Sequence, residues 1–591
     1  MSLHPNDLAR RGRVASWALV VLFTVVLGAF FRTQIIQHSR YTMQSEENRL
    51  REVPMPAPRG IIFDRNQKII AENVPGYSVQ LLAANADSLR ATVARMAEIV
   101  PITPEQMDLV SRRYLRAPNR PAVVFADAPF KVVSVLEERR LDFPGLVIQS
   151  APKRFYPAGA AGAPVLGYVG EVTESELNSE RYKGYKNGQQ VGKAGLEREY
   201  EDKLRGIDGS RFVEVDARGR VVREAGARED LAPQAGPPLL TNIDIDLQKF
   251  VADLFADSLQ GGVIAIEPRT GAVLALYSAP SYDPNAFIGG IPPELWKALN
   301  ADPRRPLYNK AIQGRYPPGS TWKLATAAIA LQEGIATLDD KMPEPCTGKF
   351  QFGNREFKCW DKQGHGYLTL ARAIEVSCDV YFYQLGLKIG LTRLVAGGIS
   401  LGAHERTGID LPEEARPGFP AADVKDYYDK KYGKTGWSQA VVLNLAIGQG
   451  ENDQTVANMG RFYTALATDG SAATPAVAMR PVERQRIMQL TPAQLDAVRA
   501  AMAGVISRGT ASSAQIQGVV LAGKTGTAQN SQDPLHDHAW FVGFAPANDP
   551  KIVVAVMLEF GGHGDRAARI ASKIIQSYLK VAPAQLLSTD G

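Results

Sequence analysis

The chain has 591 residues, of which 45% are hydrophobic and 22% are charged, and its formal net charge at pH 7 is +5. This length suits more than one domain, and this composition is typical of folded proteins with sizeable cores. The net charge is small for the length and no basic run with interleaved aromatic residues occurs, so nothing in the sequence points to nucleic-acid binding.

The first predicted element is a membrane anchor near the N-terminus. The run from Val14 to Phe31 carries no charge and follows three arginines. As a helix it would extend about 27 Å, enough to cross the hydrocarbon core of a bilayer. A cleaved signal peptide is the alternative, but the run is long and lacks a small-x-small site after it. We therefore expect a cytoplasmic tail at 1–13 and an uncleaved inner-membrane anchor at 14–32, with the remaining chain in the periplasm.

Residues 33–235 predict an irregular α+β domain, which we call the pedestal. A polar stretch at 34–53 is expected to form a stalk that the prolines of segment 54–58 interrupt. Beyond it, alternating and helical patterns are mixed, no catalytic cluster stands out, and the charged residues are expected on solvated faces. A segment with three prolines and one glycine, 232–238, is the predicted domain boundary.

Residues 236–591 predict a second mixed domain. Apolar runs flank turn residues at 263–276 and again at 539–559, which predicts two hairpins, and the chain between them is mostly helical. Helices are expected at 247–259 and 566–579. Strands from distant parts of the chain imply a central antiparallel sheet covered by helices. The predicted fold class is therefore α+β, with one transmembrane helix, an elongated pedestal and this sheet-and-helix domain.

The first candidate chemical motif lies at 316–323. Two prolines and a glycine precede Ser320, and an alanine-rich apolar run follows Lys323, which predicts a helix start. The two side chains would share a face of the first turn, where unpaired N–H groups lie at the positive end of the helix dipole. A partly buried lysine beside other cations can lose its proton and act as a base towards serine. Alone, S-x-x-K is a weak signal, because an exposed lysine near a capping serine is commoner.

Two later segments strengthen this interpretation. Ser377, Cys378 and Asp379 lie between two apolar helical segments, and residues 524–527 form a K-T-G-T sequence inside a predicted strand. A serine–lysine helix, a middle serine loop and a K-T-G strand, in this order, are the motif set of penicillin-recognising acyl-serine enzymes. The middle serine lies 57 residues after the first serine and 147 residues before the K-T-G lysine, which suits a single domain.

Over its whole length the chain resembles the class B penicillin-binding proteins. The resemblance rests on these motifs together with segments 58–66, 364–366 and 448–450. Asp379 stands where the broader class usually carries asparagine, and in this the chain resembles the elongation-type subgroup. The resemblance implies a peptidoglycan D,D-transpeptidase that cross-links stem peptides during lateral wall elongation, through an acyl-serine intermediate that β-lactams block.

The resemblance also implies roles for four catalytic residues. Ser320 would be the nucleophile that attacks the D-Ala–D-Ala carbonyl of a stem peptide, and Lys323 would take its proton. Ser377 and Lys524 would relay that proton to the leaving amine. Lys524 would also help to keep Lys323 neutral.

Substrate binding is expected along the K-T-G strand. The hydroxyls of Thr525 and Thr527 would meet the substrate carboxylate, and Gly526 would let the substrate backbone lie along the strand edge. The backbone N–H groups of Ser320 and Thr527 would form the oxyanion hole. Asp379 is grouped with these substrate-binding residues, and its carboxylate would either contact the catalytic amines or be a solvated loop acid.

Cysteine spacing suggests a metal site. The three cysteines, Cys346, Cys359 and Cys378, and His365 follow the spacing C-x12-C-x5-H-x12-C, which supplies a complete tetrahedral donor set for structural zinc. An odd count outside the cytoplasm argues against a simple disulfide framework. The alternative is a Cys346–Cys359 disulfide, with Cys378 buried and free and His365 on a surface loop. Proteins similar to this subgroup hold zinc near this place, and the chemistry itself would need no cofactor.

Other functions can use the same motifs. A membrane-anchored β-lactamase would need a base for a deacylating water, and we identify none. A β-lactam sensor would need a cytoplasmic signalling module, for which residues 1–13 are too short. A non-catalytic scaffold is disfavoured by the complete motif set. As partners, the resemblance implies stem peptides and β-lactams, a RodA-type (SEDS) glycosyltransferase and an MreC-type activator.

Overall fold

The computed structural model describes residues 5–39, 50–118, 120–216, 221–223, 229–255, 258–529 and 536–581. The start of the predicted tail (1–4), half of the predicted stalk (40–49) and residues 256–257 of the helix predicted at 247–259 lie outside them. Helix α1, Pro5–Phe31, contains all of the predicted anchor 14–32 except Arg32. Within the span Ala9–Ile36 an unburied window of 18 residues has a mean hydropathy of 2.4, so by length and composition the span could cross a membrane.

The pedestal is a mixed domain built from three small sheets and short helices. Strand β3 pairs antiparallel with β2, β4 and β5, and helices α2 to α4 cover the β3–β4 part of this sheet with one apolar core. Its strands are β1 (Leu50–Met55), β2 (Ile62–Phe63), β3 (Ile69–Leu81), β4 (Ala122–Phe125), β5 (Leu146–Phe155), β6 (Val169–Glu171), β7 (Gln190–Gly192), β8 (Gly209–Val215) and β9 (Val221–Arg223). Its helices are α2 (Ala86–Ala97), α3 (Pro104–Arg116), α4 (Phe130–Glu138), α5 (Ala163–Leu166), α6 (Glu174–Leu177), α7 (Gly195–Glu199) and α8 (Glu201–Leu204).

The predicted stalk and proline break are wrong at residues 50–55. These residues form β1, which pairs antiparallel with β8 in a three-stranded sheet, and Val53 is fully buried. Pro54 lies within the strand. It is tolerated because β1 is an edge strand of this sheet, where a missing N–H interrupts no ladder.

The expectation of solvated charges in the pedestal is wrong for one buried cluster. Arg59 Nε donates to Glu197 Oε2 (2.9 Å), and Arg59 Nη2 lies 2.8 Å from Glu201 Oε2. Arg154 Nε contacts Glu197 Oε1 at 2.6 Å, and Glu197 has no exposed surface. Buried charges of this kind are tolerated only when paired. The cluster connects the beginning of the pedestal to its last helices.

The second domain has the predicted antiparallel sheet. Its strand order is β12-β11-β19-β18-β17, so the hairpin from the beginning of the domain pairs with the hairpin from its end. The five strands are β11 (Gln260–Ile266), β12 (Val273–Ala279), β17 (Ala522–Ala528), β18 (His538–Ala545) and β19 (Ile552–Glu559). They are buried almost throughout, which means that both faces of the sheet are covered. Two further hairpins are β13 (Lys349–Phe352) with β14 (Arg355–Lys358), and β15 (Ser471–Ala473) with β16 (Arg484–Arg486).

Helices fill the middle of this domain, as predicted. Helix α18 starts at a capping box, in which Thr491 and Gln494 each bond the other's backbone N–H. The helices are α9 (Ile245–Phe255), α10 (Pro293–Ala301), α11 (Lys323–Gln332), α12 (Leu370–Glu375), α13 (Asp379–Ile389), α14 (Leu391–Ser400), α15 (Val424–Tyr432), α16 (Val441–Ala446), α17 (Val456–Ala467), α18 (Pro492–Arg508) and α19 (Gly564–Leu579).

The two domains meet in a shared sheet. Strand β10, Leu239–Leu240, lies beyond the predicted boundary segment 232–238 but pairs parallel with β2 of the pedestal. The next residue, Thr241, forms a bridge with Ala478 of the second domain. The chain therefore passes from one domain to the other through a short strand that pairs with the pedestal and is followed by a bridge to the second domain.

Candidate active site

Ser320 lies in a tight turn that opens a buried helix. Residues Gly319–Trp322 form a 3-10 turn that continues directly as α11, so Ser320 and Lys323 lie one turn apart at a helix start, as the sequence predicts. Gly319 has φ +52°, and a Cβ there would lie 2.5 Å from Thr527 O. Only glycine allows this close approach, which brings the serine turn against the end of the K-T-G strand.

The Lys323 amine is directed at the middle motif. The residue is fully buried, and its Nζ donates to Ser377 O (2.8 Å), to Ser377 Oγ (3.3 Å) and to Asp379 Oδ1 (2.7 Å). An ammonium group has three donors, and these three contacts can use all of them. Asp379 is therefore a partner of the Lys323 amine and not a solvated loop acid. Burial raises the pKa of the Asp379 carboxyl, while the charge of Lys323 acts in the opposite direction.

Ser377 is held in a conformation that L residues rarely adopt. It lies between α12 and α13, is 4% exposed, and has φ +56°. A left-handed residue of this type costs about 1–2 kcal/mol and persists where the surroundings determine it. Here the carbonyl of Ser377 accepts from Lys323, and the next residue, Cys378, donates its N–H to Ala373 O at 3.0 Å.

Trp360 holds the same turn from outside and was not foreseen from the sequence. Its backbone N–H donates to Asp379 Oδ2 (3.1 Å), and its indole N–H donates to Val376 O (3.0 Å). The two bonds lie on either side of Ser377. A tryptophan next to Cys359 carries no distinctive sequence signal, because one of its bonds uses a backbone donor and the other depends on a carbonyl 16 positions away.

Lys524 is fully buried on the edge strand β17, and its Nζ lies 3.1 Å from Thr525 O. Burial, reinforced by the nearby charge of Lys323, holds the pKa of Lys524 well below its usual value. Burial therefore opposes the positive charge with which Lys524 was expected to keep Lys323 neutral.

The rest of the K-T-G strand contacts the serine turn and a threonine that the sequence did not single out. A Cβ on Gly526 would lie 2.8 Å from Pro318 O and 3.0 Å from Thr321 Cγ2, so this glycine permits packing of the strand against the turn. The sequence pattern alone suggested instead that this glycine admits the substrate backbone. Thr525 Oγ1 lies 2.6 Å from Thr510 Oγ1. Among the described strands β17 pairs only with β18, which leaves its other edge open for an added strand.

The four candidate zinc ligands form one cluster beside this site. Their donor atoms, one each from Cys346, Cys359, His365 and Cys378, all lie within 4.8 Å of one another. The three cysteines are free and buried, so the alternative Cys346–Cys359 disulfide is wrong. The side chain of His365 is 9% exposed, so its alternative placement on a surface loop is wrong as well.

The donor set fits a tetrahedral metal ion. His365 Nδ1 lies 3.6 Å from both Cys346 Sγ and Cys359 Sγ. Usual Zn–S and Zn–N bond lengths give a tetrahedral S···N edge of about 3.6 Å. The β13–β14 hairpin lies between the first two cysteines, and Cys378 adjoins Ser377. A metal held here would connect that hairpin to the middle motif.

Substitution of Asp379 separates its two functions as an acceptor and as a charge. In Asp379→Asn the amide oxygen can still accept from Lys323 or Trp360, so we expect penicillin acylation to stay within about tenfold of wild type. Asp379→Ala removes both acceptors and leaves the buried Lys323 ammonium without its anion, so acylation should fall by a further tenfold or more. Time-resolved labelling with fluorescent penicillin measures both rates. Equal rates in the asparagine and alanine variants would contradict an acceptor role.

Comparisons with known proteins agree over most of the chain. The model of the penicillin binding protein transpeptidase domain matches residues 261–576, and that of the penicillin-binding protein dimerisation domain matches residues 54–239. Peptidoglycan D,D-transpeptidase MrdA of Escherichia coli K12 is 32% identical over 606 residues, covering 96% of this chain and 93% of that protein.

Solved structures extend this likeness to the fold. Penicillin-binding protein PBP2 of Helicobacter pylori, solved in complex with MreC, has a TM-score of 0.78 at 28% identity, covering 90% of this chain and 99% of that chain. A chain from a peptidoglycan synthase complex that coordinates polymerization and crosslinking has a TM-score of 0.71 at 28% identity, covering 98% of this chain and 100% of that chain.

Proposed function

We propose the mechanism of this chain from the premise that it belongs to the penicillin-binding protein transpeptidase family and is a peptidoglycan D,D-transpeptidase, a serine acyltransferase of cell-wall cross-linking. The observation that carries the mechanism is the position of Ser320, at the tip of a buried helix with Lys323 beside it. The amine of Lys323 reaches Ser377, and the K-T-G strand packs on the serine turn.

In the proposed reaction Ser320 Oγ attacks the carbonyl carbon between the two D-alanines of a stem peptide. Lys323 accepts the hydroxyl proton as a neutral amine, after the proton that it shares with Asp379 and Ser377 has passed to the Asp379 carboxylate. The peptide C–N bond then breaks, and the departing D-alanine nitrogen receives a proton through Ser377 and Lys524. An amine of a second stem peptide attacks the resulting ester, forms the cross-link and returns the proton to Ser320.

The developing oxyanion would be stabilised by the backbone N–H groups of Ser320 and Thr527. Contact between Gly319 and the Thr527 carbonyl supports this assignment, because it holds the serine turn against the strand end. Each such donor contributes about 3–4 kcal/mol to the transition state. Thr525, Gly526 and Thr527 would carry the substrate along the open edge of β17.

Acyl transfer to an amine distinguishes this function from its alternatives. Purified full-length protein is given a D-Ala thioester donor and a D-amino acid acceptor, and the amide product is quantified. We expect transfer to exceed hydrolysis and the penicillin adduct to be long-lived. Rapid turnover of penicillin would favour the β-lactamase, and labelling without any transfer would favour the sensor.

Lys524→Met is expected to change how stability depends on pH. Since the folded pKa of Lys524 lies well below the usual 10.4, the unfolded chain binds more protons between these two values. The free energy of unfolding therefore rises with pH through this window, and the contribution is complete above about 10.4. The methionine variant should lack this part of the slope in urea unfolding.

The control for this experiment is Lys297→Met, at an exposed lysine of α10. Burial also lowers the pKa of Lys310, and this residue contributes equally to the pH dependence of stability in the wild type and in both variants. If Lys524→Met shows the same pH slope as wild type, a lowered Lys524 pKa is refuted.

We propose that the Cys346, Cys359, His365 and Cys378 cluster holds a structural zinc ion. Three thiolates and an imidazole fill a tetrahedral shell and leave no open position for catalysis. The bound ion would supply rigidity to the 346–365 loop. That loop carries Trp360, which bonds both sides of the Ser377 turn.

The proposed arrangement in the cell has residues 1–13 in the cytoplasm and 14–32 in the inner membrane. The pedestal (33–235) and the transpeptidase domain (236–591) would be periplasmic. The fit to the H. pylori protein solved with MreC supports an MreC-type activator as partner, and the likeness to a synthase-complex chain supports a RodA-type (SEDS) glycosyltransferase. Co-purification of the full chain with each partner tests these contacts.

A further inference from the structure

Glu375 is a buried carboxylate that the mechanism above does not use. It is the last residue of α12, and its side chain is 5% exposed. Arg372 Nη1 lies 2.5 Å from its Oε2, Arg508 Nε donates to the same oxygen at 3.1 Å, and Arg508 Nη2 pairs with its Oε1. The arginine side chains are 43% and 64% exposed. The carboxylate therefore lies beneath two solvated guanidinium groups and is paired, as a buried charge must be.

Two glycines near the end of α18 leave the space that Glu375 occupies. A Cβ on Gly504 would lie 2.4 Å from Glu375 Oε1, and one on Gly509 would lie 2.4 Å from Glu375 O. Glycine inside a helix costs about 1 kcal/mol relative to alanine, and Gly504 lies inside α18. The close contact with Glu375 explains why glycine occurs at position 504. The close packing at these two glycines and the Glu375–Arg508 ion pair together fix α12 against the end of α18.

The end of α18 continues to the K-T-G strand. Thr510 follows Gly509, and its hydroxyl lies 2.6 Å from that of Thr525, the residue after Lys524. On its other side Glu375 is separated from Ser377 by only Val376. Glu375 thus stands in a chain of contacts that runs from the middle serine turn through α18 to β17.

We infer that Glu375 is a positioning residue for acylation, which sets the distance between Ser377 and Lys524 by holding α12 to the end of α18. This inference rests on the acyl-serine function proposed above. Ser377 is strained at φ +56°, so its position depends on such external contacts. Proton relay through Ser377 and Lys524 requires that these two groups stay within hydrogen-bond reach of the atoms they serve. A shift of about 1 Å can cost about 100-fold in rate.

The test measures acylation of full-length protein by fluorescent penicillin at several concentrations, together with the thermal midpoint. This separates the maximal acylation rate from the dissociation constant of the initial complex. We expect Glu375→Gln to lower the maximal rate between about tenfold and a hundredfold, with the dissociation constant within about twofold of wild type. Arg508→Gln should act in the same direction. The double variant should be no slower than the slower single variant, because both changes break one ion pair.

Glu414→Gln is the matched control. Glu414 is a buried carboxylate of the same domain that accepts bonds from Thr407 and Gly408. The Glu414→Gln variant should be less stable than the wild type and should keep the wild-type acylation rate. The positioning role is refuted if Glu375→Gln acylates at the wild-type rate, or if Glu414→Gln slows acylation equally for an equal loss in thermal midpoint.

Two further outcomes also decide between these possibilities. If Glu375→Gln does not fold, Arg508→Gln decides by the same criteria, because its side chain is exposed. If wild-type protein is not labelled at all, the proposed acyl-serine function fails, and a normal wild-type rate with an unaffected Glu375→Gln variant rejects the positioning role alone.

Discussion

Replacement of Ser320 by alanine is expected to abolish covalent labelling by penicillin, lowering the acylation rate by at least about 10⁴-fold. The covalent bond forms at the serine oxygen, and none of the neighbouring groups can replace it. Lys323 donates to Ser377 and Asp379, and the Lys524 amine lies 3.1 Å from Thr525 O. Gel fluorescence after incubation with a fluorescent penicillin measures the effect.

Ser438→Ala provides the matched control, because Ser438 is an exposed serine of the same domain. This variant should label as wild type does, and both variants should keep the wild-type thermal midpoint within about 2 °C. Labelling that survives in Ser320→Ala would place the nucleophile elsewhere and overturn the mechanism.

The second large effect is expected on removal of the proposed metal. Wild-type protein purified without chelators should contain one zinc ion per chain. Cys359→Ala should lose it, with a fall in thermal midpoint of more than about 5 °C, because structural zinc sites contribute several kcal/mol to folding. Elemental analysis and thermal unfolding measure the two quantities.

Cys359→Asp is the conservative partner of this variant. A carboxylate oxygen can also ligate zinc, so the aspartate variant should keep more metal and more stability than the alanine variant. A ratio of zinc to protein near zero in the wild type would rule the site out. Equal metal content in the alanine variant and the wild type would remove Cys359 from the ligand set.

Local patterns in the sequence predicted the secondary structure around the site well. The proline–glycine turn before Ser320 and the apolar run after Lys323 specify a helix start, because both signals act within a few residues. The two hairpins of the central sheet were predicted for the same reason. The segment at 50–55 was misjudged, because its pairing with β8 involves residues more than 150 positions away.

The sequence also predicted the chemical content of the site but not its contacts. The sequence left open whether Asp379 contacts the amines or is a solvated loop acid, and the fold placed it 2.7 Å from Lys323, 56 positions earlier in the chain. Trp360 acts in part through its backbone N–H, Thr510 through a common hydroxyl, and Glu375 through a buried ion pair. Such groups occur throughout any protein, so only their neighbours distinguish them.

The sequence by itself determined the family and the α+β architecture, and it supplied the side chains proposed to carry the chemistry, because those features are written in residue type, order and spacing. Only the tertiary structure decided the partners of these side chains: the carboxylate on the Lys323 amine, the burial that lowers the Lys524 pKa, and the approach of three thiols to one imidazole. The physical reason is that pairing, desolvation and coordination depend on distances of a few ångströms between residues far apart in the chain.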